Sequence, residues 1–487
     1  MYLQRIWLLS GLRRRESVIP INWPDILIVG SWIIFLYMIM MILVYGGMLI
    51  LSLSQIRKIY QLDEYEPYEE LLQSEYTKPV SILVPAYNES VGIYGSIRSL
   101  LSIEYPEYEI IIINDGSTDD TLEKLMDKFQ LKKINRVYRK QLESKRIKGV
   151  YQSAIHPHLV VLDKENGGKA DALNAGINCS RYPYFCSLDG DSIIERHAFL
   201  KVLKPIIESD DEVIASGGSV RIANGCDIQN GELKSVGLSN NPIVLMQVIE
   251  YLRAFLTGRV GLSSNNLLLI VSGAFGVFSK KWVVEAGGYT HTVGEDMELV
   301  VRLHRYVKEQ KVNKKITYVP DPVCWTEAPD SIKYLRRQRK RWHRGLFESL
   351  WKHKKVMFNP KYGSIGLFSM PYFFFIEFLG PLVELIGYIL LIVSIFTGSI
   401  QIQYALLFFL LSLIYGSVYS MAAVLLEEWS MEKYPKVKHF TTLFLMSLTE
   451  TLWYRPLTVI WRVEGMIEAI FGKKGWGEMV RKGVSND

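Results

Sequence analysis

The sequence predicts an α/β domain, a mostly parallel sheet flanked by helices, inserted between an N-terminal transmembrane helix and a C-terminal transmembrane or interfacial helical region. Three observations predict it. Residues 26–56 contain no charged side chain, and roughly 20 apolar residues in a helix cross a hydrocarbon core. Between residues 77 and 330, short β-branched runs alternate with helical patterns, the signature of strands joined by crossover helices. A second charge-free stretch covers residues 385–426, long enough for two spans.

Residues 1–25 form a basic segment and residues 26–56 the first span. A signal peptide is the competing reading, but its apolar core runs to only about 7–15 residues. Residues 373–426 predict a transmembrane hairpin, with its turn at the polar run Thr397 to Gln401. A third C-terminal segment, residues 440–471, is interrupted by Glu450, Arg455, Arg462, Glu464 and Glu468, and Pro456 predicts a break or kink. It spans, re-enters or lies at the interface, and residues 472–487 form a tail. Ionisable groups at membrane depth face a cavity or a partner. Glu377, Glu384, Glu450 and Arg455 are therefore candidates for a polar translocation path, or sit near the headgroups or pair within the bundle.

Residues 331–372 form a basic amphipathic interface, with eleven Lys and Arg against Glu348 alone between Lys333 and Lys361. Positive charge beside a span favours a cytoplasmic central domain. Arg13, Arg14 and Arg15 run against this, since a single span would leave them outside; a surface-lying N-terminal segment and a different span count both remain open.

The net charge of +6 is accounted for by that basic run, so anionic lipid or a pyrophosphate, and no nucleic acid, is the expected partner. Cys179, Cys186, Cys226 and Cys324 show neither CxxC spacing nor a disulfide framework and are expected to be reduced and structural. No internal repeat or low-complexity tract occurs.

In the central domain, residues 80–84, 109–113, 159–162 and 184–188 read as strands buried on both faces, hence parallel. Ligands bind beyond the carboxyl ends of such strands, and polar motifs stand at those ends. Pro85, Ala86, Tyr87 and Glu89 offer an aromatic ring to stack on a base and a carboxylate for ribose, or simply cap a helix. Asp115, in an Asn-Asp-Gly-Ser turn, equally suits a ligand or a cap. Gly167, Gly168 and Lys169 at a helix start suit a diphosphate, or form an ordinary turn. The Walker A and Rossmann spacings are absent. Asp189-Gly190-Asp191 places two carboxylates for a hard cation that also engages phosphate oxygens, or is a solvated acidic turn.

Glu295 and Asp296 open an amphipathic helix, where a general base or a dipole-stabilised acid fits. In Gln338-Arg339-Lys340-Arg341-Trp342, helical spacing puts Gln338 on the face of Arg341 and Trp342. Arg341 has the fork to grip phosphate and Trp342 the ring to stack on a pyranose, although a membrane-surface basic helix reads the same way.

This ordered series, with its DxD and QxxRW motifs, resembles the processive family-2 glycosyltransferases, the cellulose, chitin and hyaluronan synthase group, over nearly the whole chain. The likeness is strongest to bacterial poly-N-acetylglucosamine synthase-like enzymes. The resemblance implies a GT-A-like cytoplasmic domain in a multi-pass plasma-membrane protein of bacterial type. It implies that Tyr87, Glu89 and Asp115 hold uridine, Lys169 and Arg341 the diphosphate, and Asp189 with Asp191 a divalent metal, Mg2+ or Mn2+. Asp296, beside Glu295, is then the base, and Ser272, Gly273, Gln338 and Trp342 the acceptor site. The implied partners are a UDP-sugar donor, a growing glycan acceptor, membrane lipids, and export or accessory subunits.

The chain departs from the group in two ways. No cyclic-dinucleotide domain follows Trp476 and Arg481, and the span count is low for a wide channel, so regulation and secretion are implied less firmly than catalysis. Two other readings stay open: transfer of one sugar to a lipid carrier, and a non-catalytic scaffold or nucleotide sensor.

Overall fold

The computed structural model describes residues 23–65, 77–229, 231–398, 402–430, 433–434 and 436–473. The expectations for residues 1–22, for the tail beyond 473 and for residues 399–401 of the hairpin turn lie outside these.

Among the described residues twelve strands form: β1 (Val80–Ala86), β2 (Tyr108–Asn114), β3 (Leu131–Ile134), β4 (Ile147–Ser153), β5 (Leu159–Lys164), β6 (Tyr184–Leu188), β7 (Ile193–Ile194), β8 (Val213–Ile222), β9 (Asp227–Gln229), β10 (Glu232–Ser235), β11 (Phe275–Ser279) and β12 (Lys315–Thr326). Ten make one sheet in the order β3-β4-β5-β2-β1-β6-β11-β8-β12-β7, and β9 pairs with β10 as a separate ribbon. The parallel part expected from the apolar runs is β5-β2-β1-β6. The sheet as a whole is mixed, because β11 lies antiparallel between β6 and β8, while β3, β4 and β7 also pair antiparallel. Apolar runs report burial on both faces, not the direction of the neighbouring strand.

Register explains the convergence of the motifs. Ala86 pairs with Asn114, and Asn114 with Asp163, so three strands end at one level with their loops side by side. Phe275 pairs with Leu188, which brings residues 272–274 beside the loop that begins at Asp189. Ile82, Leu83 and Val84 of β1 and Ile110 to Ile113 of β2 are all fully buried. Those seven side chains, at roughly 1.5–3 kcal/mol each, anchor the rim on a rigid base.

The N-terminal helix runs Trp23–Tyr65. Among the described residues, three helical segments are long and apolar enough to cross a membrane: Ile28–Ile59, Ile365–Phe396 and Ala405–Ser430. A further helical run, Val437–Thr449, passes through a π-helical turn, Glu450–Tyr454, into Arg455–Ile470. Pro456 therefore does not end the helix. It follows the wide turn and occupies the opening positions of the next segment, where a missing N–H is tolerated.

Glu377, Glu384, Glu450 and Arg455 each have a partner. Glu384 pairs with Arg455, Glu450 with Arg253 at 2.7 Å, and Glu377 accepts from Tyr45 at 2.8 Å and Tyr372 at 2.7 Å. These contacts are the pairing within the bundle that the sequence left open among its readings. One further buried pair, Arg221 of β8 with Glu427 of the segment Ala405–Ser430, ties the sheet directly to an apolar helix.

Candidate active site

The first strand ends in a loop that leans on its neighbour. Pro85 and Ala86 close β1 and Tyr87 stands exposed. Asn88, with a positive φ of 55°, reverses the chain. Its amide donates to Ser117 Oγ at 3.1 Å, and the Glu89 amide donates to Thr121 Oγ1 at 3.1 Å. Gly190 packs beneath: a side-chain carbon there would lie 3.4 Å from the Pro85 carbonyl oxygen and 3.8 Å from Glu89 Cγ. The DxD turn thus sits against the loop bearing Tyr87 and Glu89.

Asp115 is buried and its carboxylate is engaged within the protein. It accepts from the Gly167 amide at 3.0 Å, the Gly168 amide at 2.7 Å and Lys164 Nζ at 2.5 Å. Lys164, fully buried, also meets Asp171 at 2.6 Å. The two glycine amides that the sequence offered to a diphosphate are therefore turned onto Asp115. Gly116 is required beside it: φ is +67°, and a side-chain carbon would meet the Asn166 nitrogen at 2.8 Å.

Lys169 joins the remaining acids. Its Nζ lies 2.7 Å from Asp189 Oδ1 and 3.1 Å from Glu295 Oε1, and donates to the Gly273 carbonyl at 3.1 Å. Asp296 is adjacent, since a side-chain carbon on Gly273 would stand 2.9 Å from its Oδ2. Burial alone would lower the Lys169 pKa, but Asp189 and Glu295 outweigh it and hold the ammonium firmly protonated. Burial pushes the Glu295 carboxyl up, with Lys169 opposing. Asp296 is half-buried and its Oδ1 accepts from the Met297 amide at 2.8 Å.

The helix Ile332–Lys352 carries the QxxRW run. Gln338 is buried, Arg341 half-buried, and the Trp342 ring is 43% exposed, 6.4 Å from the Tyr251 ring. This helix also grips the loop before Asp296: Glu348 accepts from the Val293 amide at 2.8 Å, and Ser349 Oγ donates to the Gly294 carbonyl at 3.4 Å. Just beyond, Glu298 is fully buried and contacts Thr290 (2.6 Å), Arg302 (2.9 Å), Lys352 (3.0 Å) and His353 (3.1 Å). Burial would raise its pKa, but bonds from His353, Arg302 and Thr290 win and hold the carboxyl well below the usual range.

The geometry thus brings together Tyr87 and Glu89 with Gly190, and Lys169 with Asp189, Glu295, Asp296, Ser272 and Gly273. Trp342 and Gln338 belong to a helix anchored to the loop that precedes Asp296. Among the described residues no group of three His, Cys, Asp or Glu is placed to hold a metal. Two carboxylates, Asp189 and Asp191, are nonetheless the donor set expected for a cation that takes its other ligands from phosphate and water, as magnesium does. The four cysteines are free, and three of them are buried.

Sequence reasoning gave no role to Lys164, Asp171, Glu298 or Arg339. For Glu298 a signal existed, because Arg302 follows at helical i,i+4 spacing. For Lys164, the residue type in the final position of an apolar strand was the clue, since a buried lysine requires partners.

Residues 81–230 match the model described as Glycosyl transferase family 2, and residues 234–426 the one described as Glycosyl transferase family group 2. The chain is 31% identical over 285 residues to the poly-beta-1,6-N-acetyl-D-glucosamine synthase of Staphylococcus epidermidis, covering 58% of each chain. It is 30% identical over 275 residues to the synthase of the same description from Staphylococcus aureus, covering 56% of this chain and 55% of that one. The chain thus spans under two thirds of the length of these curated relatives. A mannosyltransferase from Pyrobaculum calidifontis, solved with GDP-Man and Mn2+, superposes with a TM-score of 0.50 at 15% identity, covering 88% of this chain and 100% of that one. This last likeness is one of fold, a GT-A-like mixed sheet with flanking helices.

Proposed function

Because the chain belongs to the family-2 glycosyltransferases, we propose that it is a membrane-embedded, inverting, processive enzyme that extends a polysaccharide from a UDP-sugar. The curated relatives are named as N-acetylglucosamine polymer synthases, which favours UDP-N-acetylglucosamine over UDP-glucose as donor. The catalytic domain faces the cytoplasm of a bacterial cell, and the paired spans carry product outward, with accessory subunits where needed.

One observation carries the reading: Lys169 binds Asp189, Glu295 and the Gly273 carbonyl at once, with Asp296 against Gly273. Acids that the chain separates by more than a hundred residues thereby meet at one lysine, and we read the space beside it as the donor cleft. In that cleft Tyr87 and Glu89 hold the nucleoside, while Asp115 fixes the Gly167-Gly168 turn beneath it. Lys169 and Arg341 face the diphosphate, and Asp189 with Asp191 would hold Mg2+ or Mn2+. When bound, that cation neutralises charge on the departing diphosphate. Ser272, Gly273, Gln338 and Trp342 receive the acceptor.

Asp296 takes the proton of the acceptor hydroxyl as its oxygen bonds to the anomeric carbon. The bond from that carbon to the β-phosphate oxygen breaks, and UDP leaves with the electron pair. General-base help is worth about a hundredfold to ten-thousandfold. Glu295, beside it, keeps Lys169 in place.

A radiolabel assay tests this, using the full chain in detergent with UDP-N-acetylglucosamine, UDP-glucose or UDP-glucuronate and either cation. Polymer retained at the chromatogram origin is expected. A product soluble in organic solvent would mean single-sugar transfer to lipid, and no transfer from any donor would end the proposal.

A further inference from the structure

We propose that Arg339, the second residue of the QxxRW run, is a positioning residue that sets the acceptor platform from behind. The inference rests on the reading above. Arg339 is buried, at 3% exposure. Its Nη2 lies 2.6 Å from Glu250 Oε2 and 3.4 Å from Tyr454 Oη, and Tyr454 donates to the same Glu250 oxygen at 2.7 Å. Burial would lower the guanidinium's pKa, but Glu250 and Tyr454 more than compensate.

From this anchor Arg339 reaches both acceptor groups. Its Nη1 donates to Gln338 Oε1 at 3.1 Å, so the amide presents its NH2 away from Arg339. Its guanidinium carbon stands 4.3 Å from the centre of the Trp342 ring, a cation–π contact in which the cation is buried. One face of the indole is thus held by Arg339, and the ring keeps its exposed surface for a sugar. Tyr251, next to Glu250, borders the same ring at 6.4 Å.

The anchor joins segments far apart in the chain. Glu250 belongs to the helix Pro242–Leu252 and Tyr454 to the π-helical turn Glu450–Tyr454. π-Turns frequently mark functional sites, and here the widened turn carries the hydroxyl that completes the Arg–Glu–Tyr triangle. The last helical run thereby fixes the angle of an aromatic ring belonging to the cytoplasmic side of the protein.

Steady-state kinetics on the full-length protein, with a soluble N-acetylglucosamine oligomer as acceptor, test the inference. Tyr454→Phe removes one hydroxyl, and Arg339→Lys keeps the charge but loses the planar fork. Each is expected to raise the acceptor KM by about tenfold, the equivalent of one weakened contact, with donor KM and acceptor-independent UDP release within about twofold of wild type. In a Trp342→Phe background the Arg339→Lys effect should shrink, because coupled residues are non-additive. An unchanged acceptor KM, a parallel fall in UDP release, or full additivity would each overturn the inference. A wild-type chain that transfers no sugar would remove the functional reading itself and this inference with it.

Discussion

Gly294 and Gly345 meet backbone to backbone. A side-chain carbon on Gly294 would lie 3.0 Å from the Gly345 Cα, and one on Gly345 would lie 2.9 Å from the Gly294 Cα. The loop that precedes Asp296 is therefore seated directly on the helix that bears Trp342. Because backbone cannot give as a flexible side chain can, Gly345→Val should cost about 1–3 kcal/mol and displace Asp296. Thermal unfolding in detergent and turnover measured on the same sample should show modest destabilisation with near-complete loss of activity.

Lys169→Met leaves Asp189 and Glu295 facing one another without the intervening cation. Removing one partner of a buried pair is costly, on the order of 3 kcal/mol, and the site loses its ordering centre. Turnover should fall at least about a hundredfold, and UDP affinity by titration calorimetry should weaken as well. Retained turnover would mean that the lysine only fills space.

Asp296→Asn keeps shape and removes basicity. Turnover should drop by about a hundredfold to ten-thousandfold while UDP binding stays near wild type. A parallel loss of binding would reassign the residue to a structural role.

Chelation should stop transfer, and Mg2+ or Mn2+ should restore it. Asp191→Asn should raise the metal concentration needed for half-maximal rate by about tenfold or more, since hard cations depend on carboxylate charge. Full activity in excess chelator would remove the metal from the scheme.

Acid stability has two signatures, both in the helix that starts at Glu295. Burial lowers His304 from 6.5 to about 4, so the folded state prefers the neutral ring. The stability it contributes is present above pH 6.5 and is lost as pH falls towards 4, roughly 3 kcal/mol in all. Glu298 is held below its ordinary 4.5, so its contribution is present above pH 4.5 and drains away below it. Unfolding temperature should therefore decline across pH 6.5 to 4 and more steeply beneath. His304→Gln, which retains a donor for the Leu268 carbonyl, should flatten the first part only.

Much of the fold was legible in the sequence because an apolar run that stops at a polar turn marks both a buried strand and the end at which its loop meets the neighbouring loops. Residues 80–84, 109–113, 159–162 and 184–188 all lie within strands of the sheet. The direction of β11 was not legible, since residues 275–279 look alike in either orientation. Nor was the engagement of Asp115 by Lys164 and two backbone amides, which depends on strand register. The π-turn before Pro456 was not legible, because the proline rule marks an irregularity in a helix but not the wider hydrogen-bonded turn that forms there. Pairs such as Glu384 with Arg455, 71 residues apart, leave no local pattern at all.

The junction between Arg221 and Glu427 bears on how this protein can be handled. Both side chains are almost fully enclosed, at 1% and 3% exposure, so neither can exchange its partner for solvent while the fold is intact. Cutting away the lipid-embedded part to obtain a freestanding catalytic fragment would strand a guanidinium deep in β8. Biochemists seeking a soluble version would do better to replace both members of the pair together than to trim the chain at a hydropathy boundary.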